Sequence, residues 1–366
     1  MTPSAPPVRS MAVEPGSFHL LVPGSLDQRT GGYLYDARMT QELRSAGWTV
    51  TVHELAGRFP DVDAQARTAL AGALDSLPDG DLVVVDGLAS GALPDIVAAH
   101  ARRLSMIVLV HHPLADETGL SPEVAERLRV SETEALSHIR GVIVTSLFTA
   151  ERLQRYGVPA DRIRAVLPGT DPARPARGPG EGHPPRLVCV GTLAPRKGQD
   201  VLVRALHAIR DLAWDCTCAG SLERDPSFSA HVLGEVDRLG LTDRIAFTGE
   251  LEAQALEEVY ATATLFVLPS HYEGYGMALA EALARGLPVV STSGGAIPHT
   301  VPSDAGILVT PGDAGELADA LRTLLEDEAR RADLSRAARR HAGELPGWKS
   351  RARVFGAAVT ELADRA

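Results

Sequence analysis

Three cysteines in 366 residues, Cys189, Cys216 and Cys218, are too few and too unevenly spaced for a disulfide framework or a zinc site. That scarcity reads as a reducing, cytoplasmic location. Lysine is scarcer still: of 36 cationic residues only Lys197 and Lys349 are lysine. No apolar run approaches the roughly 18 residues of a membrane span. The opening MTPSAPPVRS lacks the apolar core of a secretion signal, so residues 1–16 read as a loose tail. There is no basic excess either. The net charge of −11 argues against a nucleic-acid partner, although a local anion pocket stays open. No short-period repeat, P-loop or G-x-S-x-G pattern occurs. With 45% hydrophobic and 23% charged residues the composition is that of a soluble globular protein, and the length suits two domains.

Short β-branched runs alternate with helical patterns. FHLLVP from Phe18, WTVTVHEL, DLVVVDG, MIVLV and GVIVTS read as strands with helices between them. That alternation predicts a parallel sheet covered on both faces. The Pro- and Gly-rich stretch 167–186 reads as the best linker. A second series follows: RLVCVG, DCTCAG, RIAFTG, TLFVLPS and LPVVST as strands, with helices between and from Asp313 onward. The expected domains are 17–170 and 186–345, joined by 171–185, with the amphipathic segment 346–366 crossing back to the first. Two Rossmann-like halves facing a cleft would bind ligands beyond the carboxyl ends of their strands.

Two strand-end loops carry chemistry. In HYEGYGMALAEALARG, Gly274 and Gly276 allow close backbone approach, and a helix starting near Gly276 offers free N–H groups to an anion. Glu273 precedes that helix and Glu281 lies within it. Carboxylates there repel phosphate but accept hydrogen bonds from sugar or ribose hydroxyls. In GTLAPRKGQD, Arg196 and Lys197 precede a helix start, where cations oppose the helix dipole unless a polyanion binds. Taken alone, each loop is equally readable as solvated surface. In TGG at 30–32, Gly31 and Gly32 suit either a tight turn or close approach to a ligand. Cys216 and Cys218 alternate along one strand and read as core.

Together these motifs resemble the retaining glycosyltransferases of family 4, which have the two-domain GT-B fold. Glu273 and Glu281 match the E-x7-E motif, Arg196 and Lys197 the diphosphate-binding cations, and LPGTD at 167–171 the junction motif. The resemblance spans nearly all of residues 17–350 and is strongest after 186. It implies that Glu281 holds the donor ribose, Glu273 the donor sugar's hydroxyls, and the amides near Gly276 and Met277, with Tyr275 beside them, the diphosphate. Many members carry Arg where this chain has Thr192, so that charge would come from Arg196. The loop 247–251, including Glu250 and Leu251, lies where such enzymes hold the base, and leaves UDP and GDP open. Gly31 and Gly32 fall at the family's Gly pair. His111 in HHPLADETG matches a His that contacts the donor sugar, with His112 the alternative. Asp61-Val62-Asp63 reads as a helix cap rather than the metal-binding D-x-D of the other major glycosyltransferase fold.

The function implied is transfer of a hexose-type sugar from a nucleotide diphosphate sugar to a hydroxyl, with retention and without metal or other cofactor. The helical segment 121–141 alternates acids and bases and reads as solvated rather than membrane-binding, which favours a soluble small-molecule acceptor. An epimerase of the same fold and a non-catalytic nucleotide-sugar-binding protein remain as alternatives. A phosphorylase using pyridoxal phosphate lacks a lysine to spare for the cofactor.

Overall fold

The computed structural model describes residues 14–365. The tail read over 1–16 therefore lies mostly outside the described residues. From Ser17 the chain forms two compact units, one ending at Gly169 and resuming from Pro346, the other running Thr170–Leu345.

The first unit holds β1 (Ser17–Pro23), β2 (Thr49–Leu55), β3 (Leu82–Asp86), β4 (Ser105–Val110), β5 (Gly141–Val144) and β6 (Ile163–Ala165). They form one parallel sheet in the order β2-β1-β3-β4-β5-β6. Its central strands are apolar without alternation because helices cover both faces; Val83, Val84 and Val85 are all fully buried. The second unit holds β7 (Arg186–Val190), β8 (Asp215–Ala219), β9 (Ile245–Phe247), β10 (Leu265–Leu268), β11 (Val289–Thr292) and β12 (Gly306–Val309). Their order is β12-β11-β10-β7-β8-β9, again parallel. Cys189, Cys216 and Cys218 lie buried in this core as free thiols.

Each order reverses at one point: between β1 and β3 in the first sheet, and between β7 and β10 in the second. There the two flanking loops leave in opposite directions and open a crevice at the carboxyl ends of the strands. The edge strands β6 and β12, three and four residues long, are not among the strands that the sequence pattern predicts.

The helix Trp348–Ala363 belongs to the first unit. It buries Trp348, Ala352, Phe355, Val359 and Leu362 at helical spacing. Trp348 meets Tyr35 edge-on at 6.1 Å, and Phe355 lies 6.2 Å from Phe18. Gly169 is needed beneath it, since a Cβ there would stand 2.5 Å from the Trp348 backbone.

Within the Pro- and Gly-rich stretch, Ala176 and Arg177 donate backbone hydrogen bonds to Arg285 O and Ala261 O, each at 2.8 Å, within the second unit. One expectation needs correction. The 121–141 segment is not solvated all round. Its helix Pro122–Ser137 buries Leu128, Ala135, Leu136 and also Glu132.

Candidate active site

In the second unit the switch point brings together loops that are 76 residues apart in sequence. Pro195–Lys197 forms a 3-10 turn after β7, and Gly198, at φ 69°, starts the helix Gln199–Ala208. A Cβ on Gly198 would lie 2.3 Å from Pro269 O, so only glycine lets this turn press against the loop after β10. His271 N donates to Arg196 O at 2.8 Å and ties the two loops.

Glu273 is the hub. Its Oε1 accepts from Lys197 Nζ at 2.7 Å and from Ser270 Oγ at 2.6 Å. Its Oε2 has a longer contact, 3.5 Å, with Arg196, whose guanidinium also donates to Tyr272 O at 2.9 Å. Burial pushes the Glu273 carboxyl up, but the Lys197 and Arg196 charges outweigh it and hold it below the ordinary carboxylate range. Burial lowers the Lys197 ammonium, and Arg196 adds to that while Glu273 opposes it. A backbone pin fixes the loop: Ala296 N donates to Glu273 O at 2.8 Å.

Gly276 takes φ 92° and caps the helix Met277–Ala284. Tyr275 is buried, its carbonyl accepting from Thr300 Oγ1 at 2.5 Å. Glu281 projects from the middle of this helix. Its Oε2 accepts from Tyr260 Oη at 3.0 Å, and Arg285 stacks 4.3 Å over the Tyr260 ring. Burial raises the Glu281 carboxyl; the Tyr260 hydrogen bond and Arg285 oppose this, and Asp171 adds to it. Glu250 and Leu251 sit in the loop between β9 and the helix Ala253–Ala261, beyond the end of a strand two places from β7. Gly220 N donates to Gly249 O at 2.9 Å and anchors that loop to the end of β8.

In the first unit, Gly31 and Gly32 are the first two residues of the helix Gly31–Ser45. A Cβ on Gly31 would meet open space, whereas one on Gly32 would lie 3.1 Å from the His111 ring. His111 follows β4 directly, and Tyr35 meets its ring edge-on at 5.5 Å. His111 Nε2 is 3.1 Å from Asp36 Oδ1 and 3.8 Å from Asp86 Oδ2. The nearer contact is a charge pair but not a hydrogen bond: Nε2 and both Asp36 oxygens are buried without a hydrogen-bonding partner. Burial and the Asp36 charge push Asp86 up to about 7, against the His111 charge and a hydrogen bond from Leu88 N. Burial lowers His111, but the two carboxylates overcome it and raise the imidazole. His112 instead reaches Glu117 Oε2 at 3.3 Å.

Asp36 and Asp86 were not singled out by sequence. Asp86 ends the buried run LVVVD, and Asp36 occupies the buried face of an amphipathic helix beside Tyr35, Met39, Thr40 and Leu43. An acid at a core position is the signal that could have found both. In DVD, Asp63 caps the helix Ala64–Asp75 by accepting from Ala66 N at 2.8 Å.

Two doubly wound parallel units with polar clusters at their switch points define the GT-B class. Sucrose-phosphate synthase from Thermosynechococcus elongatus superposes with a TM-score of 0.77 at 23% identity, over 93% of this chain and 97% of that one. A "Glycosyl transferase 4-like domain" model matches residues 30–169 and a "Glycosyl transferases group 1" model residues 184–327. The chain belongs to this family of GT4-type glycosyltransferases. A D-inositol 3-phosphate glycosyltransferase of Salinispora tropica is 32% identical over 272 residues, 66% of this chain and 56% of that protein. A GDP-mannose-dependent α-(1-6)-phosphatidylinositol monomannoside mannosyltransferase of Mycolicibacterium smegmatis is 31% identical, over 60% of this chain and 61% of its own length. The match thus spans little more than half of these relatives. Among the described residues no helix is long and apolar enough to cross a membrane.

Proposed function

We propose that the protein transfers a hexose from a UDP- or GDP-sugar to a hydroxyl of a soluble small molecule, retaining the anomeric configuration. The observation that carries this is the Lys197–Glu273–Arg196 group at the second unit's switch point, next to the Gly276 helix start. A carboxylate wedged between two cations beside free helix N–H groups suits a ligand that is anionic at one end and rich in hydroxyls at the other. Arg196, Lys197 and the amides near Gly276 and Met277 receive the diphosphate, and Glu281 the ribose. Glu273, held ionised, accepts sugar hydroxyls through its less occupied Oε2. In the first unit Gly31 and Gly32 offer close approach, and His111 offers its Nδ1, since Nε2 is turned to the carboxylates.

In the transfer step the bond from the anomeric carbon to the diphosphate breaks as the acceptor oxygen attacks from the same face. The acceptor's proton passes to the departing phosphate oxygen. Charge developing on the diphosphate is met by Arg196, Lys197 and the helix amides, so the step itself is assigned to no metal or cofactor. Both curated relatives carry an inositol-based acceptor in their names. D-inositol 3-phosphate is therefore the first acceptor to try, in a cytoplasmic setting. The test is titration calorimetry with UDP, GDP and ADP in EDTA, then product analysis with the matching sugars. Micromolar binding of one nucleotide and a retained glycoside support the reading. An epimer formed from donor alone, or binding without turnover on any polyol or lipid acceptor, overturns it.

A further inference from the structure

We propose that Asp36, Asp86 and His111 form a binding site for one divalent transition-metal ion, of the Zn²⁺ or Mn²⁺ class, at the switch point of the first unit. One ligand atom from each residue lies within 4.8 Å of the other two. Atoms sharing an ion at roughly 2.1 Å stand about 3.0–3.5 Å apart, close to the 3.1 and 3.8 Å separating His111 Nε2 from the carboxylates. Three neighbouring parts of the sheet converge to make this group: the helix after β1, the end of β3 and the end of β4.

Asp36 is 1% exposed and Asp86 3% exposed, and among the described residues His111 is the only basic group paired with either. Both Asp36 oxygens and His111 Nε2 are buried without a hydrogen-bond partner, with Oδ1 3.1 Å from Nε2. Two buried carboxylates beside one imidazole crowd negative charge, which a proton or a shared ion relieves. Two oxygens and one imidazole nitrogen suit Zn²⁺ or Mn²⁺ better than Mg²⁺, which prefers oxygen alone, or Cu(I), which prefers sulfur. A bound ion would take Nε2 and leave the proton on Nδ1. The ring would then face a ligand as a fixed hydrogen-bond donor. This site lies wholly in the first unit and is distinct from the cation-held diphosphate site proposed for the second.

The test uses the full chain, stripped with EDTA and titrated with Zn²⁺ and with Mn²⁺. The expected result is one equivalent bound per chain, with affinity falling about 100-fold or more in Asp36→Asn and in Asp86→Asn. UDP and GDP binding, measured on the same samples, is expected to stay unchanged, which separates failure here from failure of the donor site. No saturable binding of either ion, or equal binding by wild type and both variants, overturns the proposal. Should either variant fail to fold, anomalous diffraction from wild-type crystals soaked in Zn²⁺ decides. A peak among the three side chains supports the site; a peak elsewhere, or none, removes it.

Discussion

Lys197 Nζ lies 2.7 Å from Glu273 Oε1, and both side chains are largely buried at the point where the second sheet reverses its order. Each partner satisfies the other before a ligand arrives. The carboxylate is also the group that would repel a diphosphate drawn to Lys197 and Arg196.

This gives opposite signs to two measurements on Glu273→Ala. Turnover is expected to fall about 100-fold or more, because the sugar loses its hydroxyl acceptor in the transition state. Binding of free UDP or GDP is expected to stay the same or tighten, because both cations are released. Calorimetry beside steady-state kinetics reads both. A matching loss in the two would place Glu273 on the nucleotide instead.

Glu281 should behave in the opposite way. Its carboxylate is oriented by Tyr260 at 3.0 Å and is assigned to the ribose. Glu281→Ala is expected to weaken nucleoside diphosphate binding about 10-fold, the value of one charge-assisted hydrogen bond. Tyr260→Phe should cost less, since it frees the carboxylate without removing it. Unchanged binding in Glu281→Ala would sink the assignment.

Every strand run except β6 and β12, the alternation with helices and the loops that follow strands were legible in the sequence. Residues 196, 197 and 273 could be found because each sits at a strand end next to glycines. That they touch is set by β7 and β10 being neighbours, a pairing with no local signal. The first-unit cluster was half legible for the same reason. His111 follows an apolar strand and stands out, whereas Asp36 and Asp86 become polar neighbours of it only when β1, β3 and β4 lie side by side. Glu132 shows the limit from the other direction: charge alternation along its helix hides an acid packed inside.

Glu132 is 1% exposed, accepts from Leu114 N through Oε2 at 3.1 Å, and leaves Oε1 unpartnered. Burial raises its carboxyl to about 8, with Asp116 adding to the rise and the Leu114 hydrogen bond opposing it. The folded form therefore holds a proton that the unfolded chain has already lost. Stability from this group is present below the ordinary carboxylate range and drains away as pH climbs towards 8. Glu132→Gln cannot ionise. Its thermal midpoint should match wild type near pH 4 and exceed it at pH 8.5, the stability difference reaching on the order of 5 kcal/mol at full ionisation. Parallel pH curves for the two proteins would refute the buried charge.

Adjacent glycines separate a packing role from a ligand role. Gly31 faces open space, and Gly31→Ala places a good helix former at the first position of the helix, so stability should hold or rise by about 0.5 kcal/mol. If the backbone there approaches a ligand, KM rises while the thermal midpoint does not fall. Gly32 is different, because its added methyl would press on the His111 ring at 3.1 Å. Tyr35 packs edge-on against the ring and Asp36 lies 3.1 Å from its Nε2, so it has little room to give. Gly32→Ala is expected to cost about 1–3 kcal/mol of stability through that overpacking. It should also lower kcat at least tenfold by tilting the imidazole. Gly32→Ala with wild-type stability and kcat would mean that the His111 position is neither tight nor used.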